Sequence, residues 1–267
     1  MGYIIYDNKI DDTVTTSVAV SSGSITDVTN QNKLLTRSVS DSYQYTKTGL
    51  GSLTITLNFS SSVNNNAVSV LNNSNTGLTI LSIKLLNSSV DQGAPTPTAI
   101  TNARFIDGIY SKDEHYIFDN YYTYDEIQIK YSDVSGYDRS FGAIYSGFAY
   151  EIDFSASGVS YNPNDTSEKD YSNGRQAYVS SGVMYNALKI NSAKLSHSQA
   201  WNSGGNSVND INLVAGKDKP IIIIPSENIQ NISIYGTQKN LAILSPVLKK
   251  DGDAWYWLAK FNIEEEL

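Results

Sequence analysis

Leu53-Thr54-Ile55-Thr56-Leu57-Asn58-Phe59 alternates apolar and polar residues without a break. This period of two restricts the fold more than any other feature of the chain. Successive side chains of a strand point to opposite faces, so the run buries one face and wets the other; wound as a helix, it would scatter the same residues around the axis. Residues 13–20 repeat the pattern with Val14, Val18 and Val20 on one face, and 78–85 and 126–131 follow it. Between the runs lie Ser21-Ser22-Gly23, Asn64-Asn65-Asn66, 72–77 and 133–138, all rich in Ser, Asn, Asp or Gly and expected as turns. No long capped 3.6-residue period occurs, so helices are expected to be short. Many short strands with such punctuation predict an all-β protein, a sandwich or barrel.

The chain has 267 residues, enough for two all-β domains. Residues 155–173 are almost all polar and are expected as an interdomain linker or a long loop, dividing 1–154 from a β-rich 174–267. In the second part Pro220 and Pro225 bracket Ile221-Ile222-Ile223-Ile224. A continuous apolar run of this length reads as a strand buried on both faces, ended on either side by proline.

Composition removes several function classes. With no cysteine there is no disulfide scaffold, thiolate metal site or cysteine nucleophile. Two histidines, His115 and His197, are a poor basis for a triad or a His-rich metal site, and both are expected at the surface, His197 on a strand. The net charge of -8 gives no electrostatic footprint for nucleic acid or anionic lipid. The apolar start, Met1 to Tyr6, breaks at Asp7, too short for a signal segment, and no run approaches a membrane span. Synthesis in a cytoplasm without membrane insertion is the expectation.

Catalytic patterns are sparse. Asp107, Asp113, Glu114, Asp119, Asp125, Glu126 and Glu151 lie among tyrosines, as glycoside hydrolysis would require, but they alternate with apolar residues as solvated strand faces do. Gly-x-Ser-x-Gly is absent, and Ser196-His197-Ser198 offers no nucleophile elbow. No catalytic residue and no metal ligand is therefore assigned, and the protein is expected not to be an enzyme. The stronger signal is aromatic: Tyr alone reaches 19. Tyr121, Tyr122 and Tyr124, with Trp201 in a Ser/Asn/Gly stretch, are the candidate interface or sugar contacts, since an aromatic face stacks on a sugar ring or anchors a protein interface equally well. Trp255 and Trp257 alternate on the last strand and are expected to point into the second core.

The stretch from Ile25 through Leu35, Ser38 and 53–57 to Leu71-Asn72-Asn73-Ser74-Asn75 resembles the opening of a galactose-binding-like (discoidin-type) sandwich. Phe141-Gly142-Ala143-Ile144-Tyr145-Ser146-Gly147, followed by 169–178, is similar to bacteriophage virion proteins that pair such a sandwich with a β-rich C-terminal part. Their Ser-x-Gly-Gly-Gln-like turn reads here Ser172-Asn173-Gly174-Arg175-Gln176, with Arg175 in place of the second Gly. The resemblance implies a jelly-roll-like sandwich followed by a smaller β-rich domain, in a non-enzymatic structural component of a phage tail. Copies of itself and other tail proteins would be its partners, in a virion assembled in the host cytoplasm. The alternative is a carbohydrate-binding module of the tail that touches a host surface glycan. No cofactor is expected; the discoidin likeness adds only a structural calcium, for which Asn162-Pro163-Asn164-Asp165-Thr166 and Asp170 offer oxygens, against the plainer reading of a polar loop.

Overall fold

The computed structural model describes residues 2–49, 51–74, 80–93, 96–106, 109–132, 139–154, 158–165, 168–171, 177–180, 184–202, 207–226, 233–247 and 256–266. The protein is all-β, built from large antiparallel sheets packed as a sandwich. The first half contains β1 (Gly2–Tyr6), β2 (Thr15–Val20), β3 (Ser24–Asp27), β4 (Tyr43–Thr48), β5 (Leu53–Asn73), β6 (Ile80–Asn87), β7 (Val90–Asp91), β8 (Thr98–Ile106), β9 (Ile109–Tyr131), β10 (Arg139–Phe141) and β11 (Ile144–Ile152). The second half contains β12 (Val159–Asp165), β13 (Glu168–Tyr171), β14 (Ala177–Ser180), β15 (Met184–Leu195), α1 (His197–Trp201), α2 (Val208–Val214), β16 (Ile221–Ile224), β17 (Ile234–Val247) and β18 (Tyr256–Glu265). Both helices are short, and each starts from a serine capping box, Ser196 with Gln199 and Ser207 with Asp210.

One sheet of 13 strands runs in the order β12-β15-β18-β17-β16-β1-β11-β5-β9-β6-β7, with β2 added on β5 and β8 on β9. A smaller sheet, β10-β4-β3, closes over part of it, and β13 pairs with β14. The first core fills the gap between the two layers: Ile55, Leu57, Ile127 and Ile129 from the large sheet meet Tyr43, Tyr45 and Phe141 from the small one. Tyr131 and Phe141 pack with ring centroids 5.4 Å apart across it.

β5 and β9 are long because they bend rather than stop. Between Asn58 and Val63 the β5 side carries extra residues against β9; between Asn65 and Ala67 the excess passes to β9, which runs from Tyr122 to Ile117. Two compensating bulges turn the strand pair from one layer toward the other. Asn64-Asn65-Asn66, expected as a turn, lies inside β5 at this bend. The physical reason is that an asparagine carboxamide can replace a backbone amide: Asn66 Oδ1 accepts from the Ala149 amide at 2.7 Å, and its Nδ2 donates to the Ala149 carbonyl at 3.4 Å.

β1 joins the halves. It pairs with β11 from Gly2 opposite Ile152 to Tyr6 opposite Phe148, and with β16 from Tyr3 opposite Ile224 to Ile5 opposite Ile222. The ladder thus runs from 1–154 into 174–267 without interruption. Alternate side chains feed two cores. Ile4, Tyr6, Ile221 and Ile223 enter one that α1 and α2 cover through Ala200, Val208 and Ile211. Ile5, Ile222 and Ile224 enter another with Ala67, Leu71, Tyr145 and Tyr235. The isoleucine run is a central strand with both faces buried, as the sequence predicts. Gly147 permits the crossing: a Cβ there would sit 2.3 Å from the Tyr6 carbonyl oxygen. Within 155–173, β12 pairs with β15 from Val159 opposite Ile190 to Asp165 opposite Met184, and β13 forms a hairpin with β14.

Ile4→Ala and Ile5→Ala are each expected to lower stability by about 2–5 kcal/mol, the range for truncating a buried aliphatic side chain. All three tryptophans lie beyond residue 200, so tryptophan fluorescence follows the second half while tyrosine signals are dominated by the first. With a core shared by both halves, chemical unfolding should give coincident transitions by the two probes. Separated midpoints would show that each half folds alone.

Candidate functional site

Two surfaces gather chemistry that the strand pattern alone does not demand. The first is an aromatic ridge on the face of β1 and β11 beside the second core. Tyr121 lies on the outward face of β9, 44% exposed, and its ring meets Phe148 edge-on at 5.6 Å. Phe148 also packs on Tyr6 at 6.0 Å, and Lys9 Nζ stands 5.7 Å from its centroid. Two residues along β11, on the same face, the Tyr150 hydroxyl donates to the Gln199 carbonyl of α1 at 3.2 Å. At the end of α1, Trp201 is 42% exposed and meets Trp257 edge-on at 5.4 Å. Trp257 Nε1 in turn donates to His197 Nδ1 at 3.2 Å.

Two of the four aromatic candidates, Tyr121 and Trp201, therefore sit on one ridge. Tyr122 is half-buried, edge-on to Phe118 at 5.8 Å and packed on the first core. Tyr124 is 1% exposed; it meets Phe59 edge-on, and its hydroxyl lies 2.6 Å from Ser146 Oγ. It cannot touch a partner. Tyr122 and Tyr124 share the inward face of β9, and Tyr121, an odd number of residues from both, falls on the outward face by ordinary strand alternation. Phe148, Tyr6 and Lys9 were not singled out from the sequence. The alternation of Phe148 with Tyr150 was the available signal, but only the β1–β11 pairing shows that Tyr6 joins them.

His197 begins α1 rather than lying on a strand, because Ser196 caps the helix. Trp257 is half-buried against the second core; Trp255 and the 172–176 turn lie outside the described residues. His115, expected at the surface, is fully buried, with Nδ1 3.0 Å from Ser69 Oγ and Nε2 3.2 Å from Ser233 Oγ. It sits where β9 passes under the second half, a contact no local pattern announces.

The carboxylates also divide. Asp113 and Glu114 are buried instead of solvated. Asp113 Oδ1 accepts from the Asn72 amide at 2.8 Å. Glu114 accepts from Asn73 Nδ2 at 3.0 Å and from the Tyr131 hydroxyl, and Lys112 Nζ lies 2.9 Å away. Being consecutive, the two acids point to opposite faces, and their oxygens hold the sheet rather than face one bond. Asp119 and Glu151 are exposed, Asp125 accepts from the Ser88 amide, and Asp107 lies outside the described residues. Asn162-Pro163-Asn164-Asp165 lies on β12, not in a loop. Among the described residues no group of three or more His, Cys, Asp or Glu is placed to hold a metal ion.

The second surface is a cleft of about 650 Å³ where the chain leaves β1. Asp7 adopts φ +59° there, and Asn8 takes over the pairing, its Oδ1 accepting from the Ser146 amide at 3.0 Å. Asp7, Asp11 and Asp12 form one wall, with Arg37 and Lys219 among the remaining lining residues. Hydrogen bonds from Thr13 hold the Asp11 carboxyl below its ordinary value. Two buried hydroxyls fix the floor: Tyr145 donates to the Pro220 carbonyl at 3.1 Å and Tyr235 to the Arg37 carbonyl at 2.9 Å. Groups of both charges line the cleft. Three segments far apart in sequence build it, which leaves no sequence motif.

The fold and these surfaces define an all-β protein with an aromatic contact ridge and an open, mixed-charge cleft. No protein-family model, curated protein or solved structure matches the chain.

The buried tyrosines set a pH limit. Burial pushes Tyr124 up to about 12 and holds Tyr43, Tyr116, Tyr131, Tyr145 and Tyr150 above the ordinary value. Their neutral forms favour the folded state, so that stability is complete below the unfolded value of about 10 and is lost as pH rises toward 12. Phenolate absorbance should therefore show a gradual phase from exposed tyrosines, then a steep step coincident with loss of β-sheet circular dichroism. A single gradual titration with the fold intact would overturn this.

Proposed function

We propose that the protein is a non-enzymatic structural component of a bacteriophage tail that works through assembly contacts, its first part a galactose-binding-like sandwich. The observation that carries the assembly reading is the openness of the large sheet: among the described residues it ends on β12 and β7 and adds β2 and β8 as further edges, without closing on itself. Each edge leaves main-chain donors and acceptors for another chain. The exposed Tyr121 and Trp201 on one ridge add aromatic anchors of the kind interfaces use. The tail setting is supported by the likeness of 141–147 and 169–178 to virion proteins.

The same ridge favours a second reading, a carbohydrate-binding module that touches a host glycan. Tyr121 with Phe148, and Trp201 with Trp257, each offer an aromatic face of sugar-ring size.

Reconstruction of the virion tests the first reading. The expected result is several symmetry-related copies in contact with one another or with other tail proteins. Absence from particles, or one copy touching no neighbour, would overturn it. A glycan array with the purified chain tests the second: binding reduced at least about tenfold by Tyr121→Ala or Trp201→Ala would support it, and no bound glycan would remove it.

A further inference from the structure

Among the described residues, strand β2 is the least protected edge of the large sheet. It pairs with β5 along one side, from Thr15 opposite Asn58 to Val20 opposite Leu53, and among the described residues nothing hydrogen-bonds its other side. Soluble β proteins guard such edges with charge, proline, bulges or brevity. Other edges here carry those guards. β7 has two residues, one of them Asp91, ion-paired with Lys84. β12 contains Pro163 and Asp165, and β8 contains Arg104. β2, Thr15-Thr16-Ser17-Val18-Ala19-Val20, has no charge, no proline and an unbroken register. The strand that follows it, β3, is the edge of the facing sheet, so both layers of the sandwich end unpaired here.

We propose that β2 docks antiparallel on β2 of a second copy of this chain, continuing the large sheet through a two-fold axis at Ser17. This deepens the assembly reading above and rests on it. Residues directly opposite in an antiparallel pair point to the same face, so core-facing positions must meet core-facing positions. Centred on Ser17, the pairing sets Val14 against the partner's Val20 and Thr16 against the partner's Val18. Val14 is buried in the first core and Val18 and Val20 pack on it, so that core would extend along the joined sheet. On the outer face Thr15 meets the partner's Ala19, two small residues. The acids nearest the strand stay apart: Asp12 falls opposite the partner's Ser22 and Asp11 opposite the partner's Gly23. A chain of net charge -8 thus meets itself along an uncharged edge. The contact is isologous and closes at two copies, leaving the other edges for different partners.

The full chain has no cysteine, so Ser17→Cys introduces a unique thiol. Mild oxidation should convert this variant largely to a disulfide-linked dimer, while Leu213→Cys, 75% exposed on α2, should remain monomeric. Sedimentation of the wild-type chain should show a concentration-dependent dimer. Ser17→Lys places like charges opposite each other and should raise its dissociation constant at least about tenfold, with the thermal midpoint unchanged. Equal cross-linking of the two cysteine variants would overturn the proposal. Oligomers insensitive to Ser17→Lys would also overturn it but leave the assembly reading standing on another surface. A chain that stays monomeric at every concentration, with Ser17→Cys unlinked, would overturn it and point to a strand from a different protein.

Discussion

The two hydrogen-bond ladders flanking Gly2–Tyr6 hold the architecture together. A strand in the middle of a sheet spends all its backbone groups on its neighbours, and here those neighbours are β11 and β16, distant in sequence from β1 and from each other. Because side chains alternate, Ile4 and Ile5 fill cores on opposite faces, so one short strand couples them. Such pairing closes long loops, and the entropy of that closure must be met by burial. Four isoleucines on β16, all fully buried, supply much of that burial next to β1.

Where the ladders falter, side chains take over from the backbone. Asn66 completes the pairing of Ala149, and Asn8 that of Ser146, at the two places where β5 and β1 diverge from β11. Ser146 Oγ also meets Tyr124 and Asn65, so this crossing is a polar knot inside an apolar sheet. Glu114 serves similarly in the first core, its charge met by Lys112 and by donors from Asn73 and Tyr131. Groups of this kind must be satisfied together, because one unpaired buried charge costs more than the whole set contributes. They fix the register of the strands around them.

The surfaces left for function follow from that construction. The outward face of β9 exposes Tyr121, and the exit of the chain from β1 shapes the mixed-charge cleft. Among the described residues the large sheet does not close on itself, which leaves strand edges and exposed aromatic side chains open for the proposed contacts.

The sequence alone determined the all-β class, the alternating strands around residues 53–59 and 126–131, the shortness of the helices and the double burial of Ile221–Ile224, because a period of two and a Pro-bracketed apolar run are local signals of strand and burial. It also read Trp201 as exposed, but named Tyr121, Tyr122 and Tyr124 alike as contacts without separating the outward one from the two that face inward. Tertiary structure decided the rest. Asn64-Asn65-Asn66 has turn composition but becomes strand because the Ala149 backbone lies opposite, its amide donating to the Asn66 carboxamide oxygen and its carbonyl accepting from the Asn66 amide group. His115, Asp113 and Glu114 have surface composition but are buried, and each takes a hydrogen-bond partner from β5, a strand more than 40 positions earlier. Tyr124 shares its tyrosine-rich stretch with Tyr121; alternation puts them on opposite faces, and only the packing of the first core decides that the Tyr124 face is the covered one. Periodicity records which residues could share a face; only the pairing of strands distant in the chain decides which faces are covered.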